Sequence, residues 1–307
     1  QISGIAGGHL DDETMNRLID ARLREELKSG VQTIQYQINT LMTTNGQSPF
    51  VTLFLNLDKD DEYLEENAMI VEEILRQRLE GIKNEKGVYV TPAFPKLIYV
   101  LDEHNCLKGG KYDYITKLAV ECSSKRLYPD YISAKQMRAT YQGNVFSCMG
   151  CRSFLSPWKD ENGNFKFEGR FNQGVVSINL PQIGILANKD EDAFWKLFDE
   201  RLELCFEALM VRHNALKGIK SDVSPIHWQY GAIARLNKGE TIDKLLYGGY
   251  STISLGYIGL YEVTKLMKGV SHTQPEGEEF ALRVMRHMRE ATDRWKKETG
   301  LGFALYG

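Results

Sequence analysis

No apolar run in this chain approaches the roughly 18 residues that a membrane helix needs, so no span is expected. Nor is there a strong charge excess: 38 Lys and Arg face 41 Asp and Glu, a formal charge of −3. That balance gives no electrostatic reason to expect nucleic acid as a ligand. The first thirty residues are too acidic for a signal or transit peptide. Linkers rich in Pro, Gly or Ser, repeats of fixed period and low-complexity tracts are all missing. Cysteine is scarce, with five residues (Cys106, Cys122, Cys148, Cys151 and Cys205) scattered along the chain. An odd, scattered set does not suggest a secreted disulfide framework. A reduced thiol protein of the cytoplasm is the expectation.

What is there is ordinary for a folded chain: 307 residues, 42% hydrophobic and 26% charged. α/β barrels often use this length for one domain, and residues 1–307 are read as one. Apolar residues at three-and-four spacing predict one long helix, or two joined near Gly30, over residues 11–43. VTLFLNL (51–57) and KLIYVLD (96–102) read as strands buried on both faces, with a helix from Leu64 to a stop near Gly81 between them. A helix around 134–141 leads into the segment SCMGCRSF (147–154), and KDENGNFKF (159–167) carries a turn signal. VVSINL (175–180) predicts a strand, and Phe194 to Leu216 stripe a long helix. STISLGYIGLYEV (251–263) reads as strand, glycine turn and helix, and a last helix over 276–299 stops at Gly300 before a short strand, GFALY. Short strands alternating with helices predict an α/β fold built on parallel strands.

SCMGCRSF places Cys148 and Cys151 three positions apart. Zinc takes about four ligands, and this chain has neither a second CxxC nor a His within ten residues of the pair. No metal site is therefore assigned. A thioredoxin-like pair usually follows a strand and opens a helix, whereas Gly143, Asn144 and Pro157 here suggest an irregular loop. Two readings remain beside it: two buried thiols acting as small hydrophobes, and a catalytic thiol at Cys151 on a loop bent at Gly150. Arg152 reads as an ion-pair partner more readily than as an anion ligand. In SLGYIGLYE (254–262), Gly256 and Gly259 either present N–H groups to an anion at a helix start or permit tight strand–helix packing.

Taken in order, MGCRSFL, GRFNQGVVSINLP, a long helix, QYGA and SLGYIGLYE resemble the catalytic barrel of the class III, anaerobic, glycyl-radical ribonucleoside-triphosphate reductases. NGQSPFVTL, KLIYVLDEHN and SSKRLYPDYISAKQMR resemble the same family, so the likeness runs from about residue 31 to 306. The resemblance implies a ten-stranded α/β barrel with a finger loop through its centre and Cys151 at the finger's tip. It implies that a thiyl radical on Cys151 takes the ribose 3′ hydrogen, so that the 2′ hydroxyl leaves as water. Asn172 would hold a sugar hydroxyl or a small carboxylate, and an asparagine there implies formate as reductant. Gly150, Ser153, Ser254, Gly256 and Gly259 would line the substrate, with Ser153 near where aerobic relatives place a catalytic glutamate. Cys148 is read as a neutral buried thiol. The family's partners would be ribonucleoside triphosphates, dNTP and ATP effectors, a second copy in a homodimer built by the N-terminal helices, and a radical-SAM activating enzyme.

The family also has an RxxGY-like glycyl-radical motif, a four-cysteine zinc module and, often, an ATP cone, and these 307 residues contain none of them. Gln1 is not an initiator methionine. The expectation is an internal piece of a longer protein, with its barrel incomplete, its radical and zinc lying outside it, and no activity by itself. Two other functions are weighed: a glycyl-radical enzyme of the pyruvate formate-lyase kind, against which GRFNQGVVSINLP speaks, and a nucleotide-binding regulatory module without catalysis.

Overall fold

The computed structural model describes residues 11–42, 46, 48–148 and 154–307. Its contacts divide the chain into two units, Gln1–Arg152 and Ser153–Gly307.

In the first unit the N-terminal periodicity gives one helix, α1 (Asp12–Thr40), which runs through Gly30 unbroken. It starts where the Asp11 carboxylate accepts the Thr14 N–H at 2.7 Å, an N-cap. After it come β1 (Thr52–Leu55), α2 (Leu64–Glu80), the short strands β2 (Ile82–Lys83) and β3 (Tyr89–Val90), β4 (Lys96–Leu101), α3 (Glu103–Cys106), α4 (Asp113–Arg126), β5 (Asp130–Ser133) and α5 (Ala134–Thr140). β1, β4 and β5 pair in parallel in the order β1-β4-β5, while β2 and β3 form an antiparallel pair. β4 is buried on both faces, as its unbroken apolar run predicts. β1 is shorter and less buried than expected because it is the edge strand. Leu55, Leu57, Leu75, Leu97, Tyr99 and Ile115 form the core.

The second unit holds β6 (Asn172–Asn179), α6 (Leu180–Ala187), α7 (Glu191–Leu216), α8 (Pro225–Trp228), β7 (Thr252–Ile258), α9 (Leu260–Lys268), α10 (Pro275–Thr299) and β8 (Gly302–Tyr306). All three strands are parallel, in the order β6-β7-β8. One face of the sheet sends Ile178, Ile253, Leu255 and Phe303 into a core with Phe194 and Phe198 of α7 and Val284, Met288 and Trp295 of α10. Side chains alternate between faces along a strand, and partners across a ladder share one. The other face therefore carries Val175, Ser177, Thr252, Ser254, Gly256, Gly302 and Ala304, as the registers Val175↔Ser254, Ser177↔Gly256, Thr252↔Gly302 and Ser254↔Ala304 require. That face is smaller and more polar than the first, though Val175 and Tyr306 also lie on it.

The α/β class with parallel strands read from the sequence is what the structure has. Its described residues contain six strands in two parallel sheets and two more in the hairpin.

Candidate active site

Asn172, expected to hold a sugar hydroxyl or a small carboxylate, is the first residue of β6. It pairs with Thr252, but the ladder shifts register between Asn172 and Gly174, which pairs with Ile253. Gln173 is the extra residue of this β-bulge. Asn172 consequently shares the face of Thr252, the small polar one. Its Nδ2 donates to Ser254 Oγ at 2.5 Å, and its Oδ1 accepts the Gly174 N–H at 2.7 Å. Two residues singled out from separate segments of the sequence are thus hydrogen-bonded across the ladder, and Ser254 is fully buried.

The two glycines of the same segment have packing reasons for their identity. A Cβ on Gly256 would collide with Ser177 Oγ and lie 3.0 Å from Val175 Cγ1. Gly259 caps α9 in the left-handed region, at φ 77°, and a Cβ there would collide with the Pro181 ring. Cys151, Gly150, Arg152 and Ser153 lie outside the described residues. Cys148 is buried, 3% exposed, as the reading of a small hydrophobe has it.

The chain after the cysteine loop is fixed by contacts that sequence reasoning missed. Ser156, five positions after Cys151, donates its N–H to Thr252 Oγ1 (3.0 Å) and its hydroxyl to the Phe303 carbonyl (3.1 Å). Its own carbonyl accepts from Arg170 Nη2 at 2.7 Å. Arg170, 7% exposed, gives its remaining bonds to the carbonyls of Tyr250 (2.7 Å), Gly249 (2.7 Å) and Lys166 (3.2 Å). Burial pushes this guanidinium down to about 10. The clamp joins the chain after the loop, the residues before β6 and the entry to β7.

The chain before the loop is held differently, within the first unit. Arg138 on α5 meets the Asp102 carboxylate in a two-pronged pair, Nη1 to Oδ1 at 3.1 Å and Nη2 to Oδ2 at 2.6 Å. Asp102 ends β4 and also caps α3. The bonds from Arg138 hold its carboxyl below the usual value of 3.8.

Between Asn172 and Tyr306 the polar face of the second sheet offers hydroxyls and the carboxamides of Asn172 and Asn179 but no carboxylate, amine, guanidinium or imidazole. Such a surface binds hydroxyls and small anions by hydrogen bonds alone, with no change of protonation.

The family model described as anaerobic ribonucleoside-triphosphate reductase matches residues 7–307. The anaerobic ribonucleoside-triphosphate reductase of Escherichia coli (strain K12) is 41% identical over 292 residues, covering 94% of this chain and 40% of that protein. That of Enterobacteria phage T4 is 39% identical over 311 residues, covering 97% of this chain and 49% of that protein. The chain thus spans about half the length, or less, of these relatives. Among solved structures, the anaerobic ribonucleotide reductase from Thermotoga maritima with glycerol in the active site superposes with a TM-score of 0.61 at 16% identity, over 96% of this chain and 47% of that one. At that identity the likeness concerns the fold, and it agrees with the mixed α/β arrangement and its parallel sheets. From its sequence, over nearly its whole length, this chain belongs to the anaerobic ribonucleoside-triphosphate reductase family.

Proposed function

We propose that this chain is the core of an enzyme that reduces ribonucleoside triphosphates to 2′-deoxyribonucleoside triphosphates, with Cys151 as the reacting thiol and formate as reductant. One observation carries the reading of the site: Asn172 and Ser254 meet on a small, uncharged sheet face, and the chain five residues beyond Cys151 is bonded to that same face at Thr252. The radical that starts the chemistry would come from a glycine outside these residues, and it would turn the Cys151 thiol into a hydrogen acceptor. The chain's own part is to hold the ribose with hydroxyl and amide hydrogen bonds, and to keep water away from the reacting carbons. Overall, formate gives up two electrons and becomes carbon dioxide, and the 2′ hydroxyl leaves as water.

Asn172 has one N–H and one acceptor site left after its bonds to Ser254 and Gly174. The N–H suits one formate oxygen or a sugar hydroxyl. The uncharged face leaves the added anion unopposed by any carboxylate. Gly256 and Gly259 keep the backbone close-packed beside the substrate, and Gly150 and Ser153 flank the thiol in the sequence. The family's ten-stranded barrel belongs to the same proposal.

Deoxynucleotide and ATP effectors belong to the same reading, supported by the Thermotoga maritima enzyme solved in complex with dATP and CTP. α1 leaves Leu18, Ile19, Leu23 and Ile34 exposed, which supports a homodimer through this helix. A radical-SAM partner would install the radical in the cytoplasm.

The test uses the full-length protein, activated anaerobically and given a ribonucleoside triphosphate and formate. Deoxynucleotide and carbon dioxide should form in equal amounts, and Cys151→Ser should abolish both. Turnover by Cys151→Ser, or by a protein given no formate, would remove the thiol or the reductant from the reading. The 307 residues alone, which contain no RxxGY-like motif, should give no deoxynucleotide.

A further inference from the structure

Two carboxamides stand side by side at the start of β6, Asn172 and Gln173, and only one can face the polar side of the sheet. Strict alternation counted back from Gly174, which pairs with core-facing Ile253, would turn Gln173 inward and Asn172 toward the helices. The observed pairing of Asn172 with Thr252 reverses this. We infer that the β-bulge at Gln173, locked by His213, is the device that aims Asn172 at the substrate, and that Gln173 and His213 are positioning residues.

Three observations support the lock. Gln173 is buried and fully engaged: Nε2 donates to Ser251 Oγ at 2.7 Å and to the Leu246 carbonyl at 3.1 Å, and Oε1 lies 2.8 Å from His213 Nδ1. His213, on the last turns of α7, is 1% exposed and meets the Tyr247 ring edge-on, with centroids 5.3 Å apart. An amide oxygen can only accept, so His213 Nδ1 carries the proton and donates it to the glutamine. Gly174 then takes φ 146°, and a Cβ there would lie 2.5 Å from Arg212 Nε, so the bulge needs glycine at this position. A bulge of this kind re-aims a side chain while bending the strand that carries it.

The inference rests on the role proposed for Asn172, so the test separates the two. In the full-length activated enzyme, formate KM is measured for Asn172→Ala, Gln173→Val, His213→Phe and His213→Asn. Valine favours a regular strand and cannot hold the imidazole. Asn172→Ala, Gln173→Val and His213→Phe should each raise formate KM about tenfold. His213→Asn, which keeps an N–H near the same place, should stay within about threefold of wild type. A crystal structure of Gln173→Val should show Asn172 turned from Ser254 toward α7. Wild-type formate KM in both Gln173→Val and His213→Phe, or an intact Asn172–Ser254 bond in that crystal, overturns the inference. If Asn172→Ala itself leaves formate KM unchanged, the proposed role of Asn172 fails, and the crystal alone then judges the bulge. Should Gln173→Val not fold, Gln173→Met replaces it: it keeps the volume but loses the bonds to His213, Ser251 and Leu246, so formate KM should rise about tenfold, and a value within about threefold of wild type would count against the inference.

Discussion

Asn172 commits half of its hydrogen-bonding capacity before any ligand arrives, one donor to Ser254 and one acceptor to Gly174. Its amide plane is therefore set by the protein. Asn172→Asp puts a carboxylate on a face with no cation to balance it, and it should repel formate. Turnover with formate is expected to fall about a hundredfold or more, as when a buried group meets a like charge, measured as carbon dioxide released. Arg170 is the residue on which the surrounding chain depends most. Its loss in Arg170→Met leaves four carbonyls without their donor, at a cost of about 3–5 kcal/mol, read from urea unfolding. Asn172 and Ser254 were legible because they stand in segments that resemble a family. Arg170, Ser156 and Thr252 were not, because their partners are mostly backbone groups that only the folded chain brings near.

At the scale of elements, periodicity served where segments are long or wholly apolar: β4, β6, α7, α10 and the stop at Gly300 all follow from it. β5 and the β2–β3 hairpin escaped, being short and nearly half polar or exposed. The bulge escaped too, since an extra residue leaves no mark on a hydrophobic pattern. Gly259→Ala tests the join of β7 to α9, where both the left-handed backbone and Pro181 oppose a side chain. It should lower stability by about 2–4 kcal/mol, seen as a lower midpoint in urea. The lock on β6 carries a pH signature. Burial, and then Lys217, holds His213 below the ordinary imidazole value of 6.5. An unfolded chain therefore takes up a proton that the folded one refuses. Stability from this group is complete above about pH 6.5 and declines as the pH falls below it. His213→Asn should flatten that part of the stability–pH curve, measured by urea titration between pH 7 and 5.

At the scale of the whole molecule, each unit has its own apolar core, centred on Leu75 and Leu97 in one and on Phe194, Phe198 and Trp295 in the other. If both belong to one barrel, as proposed, Leu75→Ala and Phe198→Ala should shift the same unfolding transition, each by about 2–5 kcal/mol. Two transitions, moved separately, would count against a single domain. The sequence showed the α/β class and the parallel strands through alternation alone. It could not show how many strands close a wall, because strand pairing is decided by contacts distant in the chain.

The small polar face of the β6-β7-β8 sheet has one more consequence. Gly256, Gly302, Ala304, Ser254 and Thr252 leave it without the bulk that would make it a good core. An engineer seeking a hardier protein would start with Ala304, for example by enlarging it to leucine, since a Cβ on Gly256 or Gly302 would collide with its neighbours. If the proposed function holds, each gain in robustness would remove room for a sugar. On this reading, natural selection has kept the sheet underfilled, and a laboratory search for heat-resistant variants would drift toward proteins that fold well and do nothing.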